Sequence, residues 1–316
     1  MPLVSVIMPT FNRLQFLAPA VDSVRAQTYT DWELIIADDG SDAASRAYLQ
    51  TLHAPPRVRV IWLAHSGRPA MARNAALREA HGEYVAFLDS DDIWLPRKLE
   101  RQIGSLRRHP QREWSYTAFA VVDAADQPKR ASPARNRPVV SGWITEKMLN
   151  DETVIALPSV VVARRLLEQL GAFDEGLVMC EDDELWLRLA VHGEIDGIDE
   201  PLTLVRRHAQ HSGSDIIAWR DRRRVFEKLL RSGEWDRFAD VLRRQRAEMA
   251  AGLATSQAMC GLRLAALGTV LSSSRYSWTY PQWWHGALAA VVRALAPAVL
   301  RRFARRFWPR RNPASA

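Results

Sequence analysis

The chain has 316 residues, 47% of them apolar, and a formal net charge of +7, a composition that provides a sizeable core and excludes a chain too polar to fold. Residues 219–316 hold 19 Arg and Lys against 6 Asp and Glu, while residues 1–218 hold 24 against 30, so the basicity belongs to the C-terminal part and a uniformly nucleic-acid-binding surface is disfavoured. The two cysteines, Cys180 and Cys260, lack metal-ligand spacing, and Met1-Pro2-Leu3-Val4-Ser5 has neither the basic nor the apolar region of an export leader, which makes an intracellular chain with two free thiols the expectation.

In chain order, residues 3–8, 32–38, 58–62 and 84–88 are short, rich in branched apolar residues and read as β-strands, three of them apolar enough for a buried parallel sheet. Residues 14–26, 43–52 and 69–80 between them have helical period, and the alternation predicts a doubly wound α/β sheet with its active groups at the carboxyl ends of strands. Three of those ends carry polar turns: Pro9-Thr10-Phe11-Asn12-Arg13, Asp38-Asp39-Gly40-Ser41-Asp42 and Asp89-Ser90-Asp91-Asp92. A helix at 95–107, a strand at 114–122, a Pro/Arg-rich loop at 127–138, either mobile or substrate-facing, and a strand at 159–163 follow. After Arg207 the pattern is wholly helical: 219–270, a Ser/Tyr/Trp-rich linker at 272–284, and a last helical stretch at 285–308.

The aspartate clusters at 38–42 and 89–92 are costly to crowd together unless a cation or a hydrogen-bonding ligand neutralises them. Oxygen-only donors suit Mg2+ or Mn2+, which take further oxygens from substrate phosphates. A lone Asp-x-Asp is more simply a helix cap or a solvated turn.

The ordered set as a whole narrows the choice. Val4 to Arg13, Asp38-Asp39-Gly40-Ser41, Gly67-Arg68-Pro69-Ala70-Met71-Ala72-Arg73-Asn74, Phe87-Leu88-Asp89-Ser90-Asp91-Asp92, Gly171-Ala172-Phe173-Asp174, and Glu181-Asp182 before Leu185-Trp186-Leu187-Arg188 together resemble the family 2 glycosyltransferases of GT-A fold over about residues 3–212. The resemblance implies an α/β GT-A (Rossmann-like) nucleotide-diphospho-sugar transferase domain at 1–218, and the helical pattern and charge mark a helical, basic extension at 219–316. It implies inverting transfer of a sugar from a nucleotide-diphosphate donor, a UDP-sugar being favoured, to a hydroxyl of a glycan or lipid-linked acceptor in bacterial cell-surface glycan synthesis.

By the same resemblance Thr10, Phe11 and Arg13 lie beside the donor nucleotide, Asp39 accepts from the base N–H, and Arg73 lies near the phosphates or the base. Asp91 holds the Mn2+ or Mg2+, Asp89 and Asp92 contact the ribose or the metal, and Ser90 belongs with them to the nucleotide-sugar site. Two of these have plain structural alternatives, capping for Asp39 and core packing for Phe11. Asp182 is the matched catalytic base, which would take the acceptor's proton; Asp183 departs from the usual pattern, so a shift of one residue stays open. Arg206 and His208 match an Arg-x-His element that closes over the phosphates, His208 completing the metal shell; an ordinary surface loop is the alternative.

The segment 283–310 has Leu288, Val291, Val292 and Leu295 on one helical face, and beyond Pro297 it sets Leu300, Phe303 and Phe307 opposite Arg301, Arg302, Arg305 and Arg306. Apolar and basic faces with flanking tryptophans predict a helix lying in an anionic membrane surface. Arg293, Pro297 and Arg301 interrupt it too early for a membrane span. The expected location is cytoplasmic, peripheral on the inner face of the membrane, without a nucleic-acid partner, and packing on the catalytic domain is the other reading. Competing functions are a polyprenyl-phosphate sugar synthase and a non-catalytic nucleotide-sugar or membrane-binding protein.

Overall fold

The computed structural model of the protein describes residues 3–128, 137–207 and 215–295. The chain divides into two compact units, residues 1–211 and 212–316. In the first, β1 (Val4–Thr10), β2 (Trp32–Asp38), β3 (Val58–Trp62) and β4 (Tyr84–Phe87) form a parallel array. The helices α1 (Leu14–Arg25), α2 (Ala43–Leu52) and α3 (Pro69–Arg78) alternate with them. The full order is β3-β2-β1-β4-β7-β6-β8-β5, so successive strands build outward from β1 to β3 and the chain then crosses back to place β4 on the other side of β1. That reversal is the switch point where an open α/β sheet leaves a crevice.

Beyond β4 the sheet is mixed. β7 (Val160–Ala163) runs antiparallel between β4 and β6 (Trp114–Val122), and β6 pairs in parallel with β8 (Ile195–Arg206), on whose far side lies the short β5 (Ile93–Trp94). The sequence reading contains β6 and β7 but not β8, because its middle, Gly197-Ile198-Asp199-Glu200-Pro201, breaks the apolar pattern; the register with β6 shifts at this place. The helices α4 (Lys98–Arg108), α5 (Thr145–Leu149), α6 (Arg164–Leu170) and α7 (Glu181–His192) complete the unit.

Alternation along the strands explains why both faces are covered. In β1, Val4, Val6 and Met8 join Leu17, Val21, Leu34, Leu99 and Ile103 in one core, while Ile7 joins Ile35, Ala70, Phe87, Trp114 and Trp186 in the other. Both clusters are fully buried, which fixes the register and with it the positions of the loops at the strand ends.

The second unit is helical: α8 (Asp215–Leu229), α9 (Ala239–Met259), α10 (Arg263–Ser277) and α11 (Pro281–Leu295). The expected linker at 272–284 is corrected, since α10 continues to Ser277 and α11 starts at Pro281. The serines are accommodated in the helix because Ser272, Ser273 and Ser274 donate their hydroxyls to carbonyls three or four residues back. α11 lies close on α9 because Gly286 faces Ala251, where an added Cβ would sit 2.6 Å from the alanine methyl. No helix among the described residues is long and apolar enough to cross a membrane.

Candidate active site

Three loops at the carboxyl ends of β1, β2 and β3 are stitched together by short side chains. Asn12, held at φ 52°, donates its backbone N–H to the Ser41 hydroxyl at 2.9 Å and accepts from the Asp42 N–H at 2.8 Å; asparagine is among the few residues that tolerate this backbone region. Asp38 is fully buried, accepts from the Ser41 N–H and pairs with Arg46 at 3.1 Å. Asp42 caps α2 by accepting from the Ser45 N–H at 2.8 Å, so the capping role falls to it and not to Asp39.

Asp39 is turned the other way, onto the loop after β3. One carboxylate oxygen accepts from the Ser66 N–H at 2.9 Å and the Ser66 hydroxyl at 2.8 Å, the other from the Gly67 N–H at 3.0 Å. His65 Nδ1 lies 3.1 Å from the same carboxylate, and the imidazole stacks on Phe11 with ring centroids 4.0 Å apart. Phe11 is 38% exposed, so its ring lies at the surface and is not a core residue. Gly40, at φ 81°, passes so close that a Cβ would stand 2.8 Å from the His65 nitrogen. Thr10 is buried, and its carbonyl accepts from the Asp39 N–H at 2.9 Å.

The loop after β4 gathers the acidic charge. Arg13 reaches Asp91 at 3.7 Å, while Ser90 and Asp92 are buried. Asp92 accepts from the Arg206 N–H at 2.8 Å. Burial, and then the charges of Asp91 and Asp89, hold the Asp92 carboxyl well above the usual carboxylate range. Arg206 is placed differently from the expectation of a phosphate clamp. Its guanidinium, 2% exposed, grips Asp126 through Nε at 2.6 Å and Nη2 at 3.0 Å, and donates to the Asp91 carbonyl at 2.9 Å. Each of the three nitrogens bonds to protein, so Arg206 braces the loop from inside. Asp126, the partner that makes this so, carries no motif in the sequence.

Arg73 joins the acidic loop to the start of α7. Buried at 5% exposure, it donates through Nη2 to Asp89 at 2.7 Å and through Nη1 to Glu181 at 2.5 Å. Burial by itself would favour the neutral form, but the Asp89 and Glu181 charges outweigh it and push the Arg73 pKa above its ordinary value. Asp182 follows Glu181. Burial first, then the Asp183 and Glu181 charges, raise its carboxyl well above the ordinary value, and Arg73 opposes the rise. Cys180, which precedes the helix, is at φ 63°, a turn that sets the acids at the helix N-terminus where the dipole favours them.

Other motif residues prove architectural. The Asn74 side chain donates to the Phe173 carbonyl and accepts from its N–H at 2.9 and 3.1 Å. Arg188 donates to the carbonyls of Leu170, Gly171 and Ala172 while pairing with the buried Glu184 at 2.8 Å. These bonds pin the segment 170–174 and α7 against α3.

No group of three or more His, Cys, Asp or Glu among the described residues is arranged to hold a metal ion by itself. The donor chemistry nevertheless fits a divalent cation of the Mg2+ or Mn2+ type, which uses one or two carboxylates and completes its shell from phosphates. Asp89 and Asp91, each beside an arginine, Arg73 at 2.7 Å and Arg13 at 3.7 Å, are the carboxylates such a cation would take. His208 lies outside the described residues, as do residues 296–310 of the predicted interfacial segment.

Residues 5–153 match the model for glycosyl transferase family 2. The Escherichia coli UDP-Glc:alpha-D-GlcNAc-diphosphoundecaprenol beta-1,3-glucosyltransferase WfgD is 32% identical over 202 residues, 62% of this chain and 73% of that protein. An uncharacterized glycosyltransferase of Rickettsia bellii is 29% identical over 203 residues, 64% of this chain but only 28% of the length of the relative. Among solved structures, S. aureus TarS 1–349 in complex with UDP superimposes with a TM-score of 0.62 at 17% identity, covering 98% of this chain and 93% of the 1–349 chain. The mannosyltransferase PcManGT from Pyrobaculum calidifontis, in complex with GDP-Man and Mn2+, gives 0.57 at 18% identity, covering 96% and 87%. The fold of the first unit is therefore the GT-A fold.

Proposed function

The chain belongs to glycosyl transferase family 2, and from this premise we propose that it is an inverting transferase that moves a sugar from a nucleotide-diphosphate donor, a UDP-sugar by preference, to an acceptor hydroxyl in bacterial cell-surface glycan synthesis. One observation carries the reading: a single buried guanidinium, that of Arg73, binds Asp89 of the donor loop and Glu181 beside the acceptor base. The loop after β4 and the start of α7 are thereby tied together, as this reading requires.

In this reading the nucleotide base lies on the Phe11–His65 ledge within reach of Asp39, and Arg13 with the 89–92 loop faces the diphosphate. Asp91, assisted by Asp89, would hold Mn2+ or Mg2+, whose charge when bound favours departure of the diphosphate. Asp182 accepts the proton of the acceptor hydroxyl as that oxygen attacks the anomeric carbon opposite the leaving group, giving inversion in one step. A raised pKa suits this role, because a stronger conjugate base is closer to the alkoxide it helps to form. The donor preference is supported by UDP in the TarS complex and by the UDP-Glc donor of WfgD, and a polyprenyl-diphosphate-linked acceptor by the latter. Such an acceptor implies work at the inner face of the cell membrane.

Thermal unfolding against UDP, GDP, dTDP and CMP, each with Mn2+ or with EDTA, tests the donor site. A ligand at about 100 times its dissociation constant adds about 2.7 kcal/mol to stability. UDP is expected to stabilise the wild type with metal and to leave Asp91→Asn unchanged; no shift with any nucleotide would overturn the reading.

A further inference from the structure

Two neighbouring helices of the second unit leave large apolar side chains in water. On α10, Leu264 is 86% and Leu271 77% exposed, and Trp278, just past the helix, is 63% exposed. The spacing of seven residues keeps them on one side of the helix. On α11, Trp284, Leu288, Val292 and Leu295 are 54%, 64%, 52% and 68% exposed, again on one side, while Trp283, Ala287, Ala290 and Ala294 bury the other. A single exposed leucine is ordinary; seven large apolar side chains on two adjoining helices are not.

The charge on the same stretch indicates what covers them. From Met249 to Ala316 the sequence contains nine arginines and not one Asp or Glu. Arg263 and Arg275 are exposed on α10 itself, and six more arginines follow Leu295 at 301–311. A second copy docked through the same face would bring arginine against arginine without a carboxylate to answer it. An anionic bilayer answers both features, since acyl chains take the leucines, tryptophans favour the headgroup level, and lipid phosphates pair with arginine.

We propose that the exposed faces of α10 and α11, with Leu264, Leu271, Trp278, Trp284 and Leu288 at their centre, are a seat for an anionic lipid surface, entered in the plane of the interface without spanning it. The inference rests on the peripheral location read above and deepens it by naming the face and the lipid charge.

The full chain would be sedimented with vesicles of phosphatidylcholine alone and with about 30% phosphatidylglycerol at near-physiological salt. Wild type, Leu271→Glu/Leu288→Glu and Arg263→Glu/Arg275→Glu are compared, with circular dichroism and the UDP–Mn2+ thermal shift read on the same preparations. The wild type is expected to pellet with the anionic vesicles and not with neutral ones. Both double variants should need about tenfold more lipid or above while keeping their helicity and nucleotide shift. Wild type that stays in the supernatant with anionic vesicles, folded variants that bind as well as wild type, or a dimer that the leucine variant dissociates without any lipid binding would each overturn the proposal. Vesicle binding without a nucleotide shift would leave the seat standing and overturn the catalytic reading alone.

Discussion

Burial first, then the charges of Asp183 and Glu181, make ionisation of Asp182 costly, and Arg73 offsets part of that cost. A carboxyl whose folded pKa is raised contributes stability that is present below its unfolded pKa and lost as pH rises through the folded value. At neutral pH the charged Asp182 is therefore a burden on the fold, and Asp182→Asn is expected to raise the melting temperature at pH 7 by a few degrees, the gain vanishing near pH 4. The same change should lower turnover by about 10²- to 10⁴-fold. In the wild type, kcat/KM should fall on the acid side with a midpoint above the usual carboxylate value of about 4. A variant destabilised at every pH would assign Asp182 a structural role, and one that keeps its activity would favour an acceptor that is already ionised, such as a polyprenyl phosphate. Arg73 and Arg206 show the reverse case. Both carry charge that the sequence assigns to ligand contacts, and both spend it on carboxylates or carbonyls of the protein itself.

Among the elements, α7 connects chemistry to scaffold. Its first turn carries Glu181, Asp182, Asp183 and Glu184, and one turn later Arg188 takes Glu184 and three carbonyls of the preceding segment. The planar fork with several donors is what makes this possible, and lysine is a point charge that cannot reproduce it. Arg188→Lys is expected to cost about 1–3 kcal/mol in urea unfolding and, if α7 carries the base as proposed, to lower kcat more than it raises KM. Equal effects on kcat and KM would refute that assignment. Helix α10 teaches a different lesson. Its run of serines reads as a linker, yet hydroxyls returned to the backbone keep them helical, and the Ser273 hydroxyl further accepts from the Trp283 indole at 3.1 Å.

For the whole molecule, the two compact units have separate cores, two large clusters on the sheet faces and smaller ones around Ala251, Trp283 and Ala287. Units with their own cores need not unfold together. Scanning calorimetry is expected to give a calorimetric enthalpy larger than the van't Hoff value, and UDP with Mn2+ to move only the part of the transition that belongs to residues 1–211. A single two-state transition moved as a whole would show that the units unfold as one.

Most of the parallel half of the sheet was legible because its signal is local. Strand and helix periods in the first ninety residues and polar turns at strand ends need only neighbouring residues, so β1 to β4, α1 to α3 and the clusters Thr10–Arg13, Asp38–Asp42 and Asp89–Asp92 appear where the pattern puts them. β8 was not legible, since its pairing with β6 and not its composition makes it a strand. Nor were His65, Ser66 and Asp126, ordinary loop residues until the fold sets them against Phe11, Asp39 and Arg206. What the sequence by itself determined is the order of elements, the family motifs and the split of charge along the chain. Only the tertiary structure decided which charges meet: Arg73 and Glu181 are 108 positions apart, and no local pattern encodes a contact that depends on two strand ends and a helix N-terminus being brought to the same edge of a sheet.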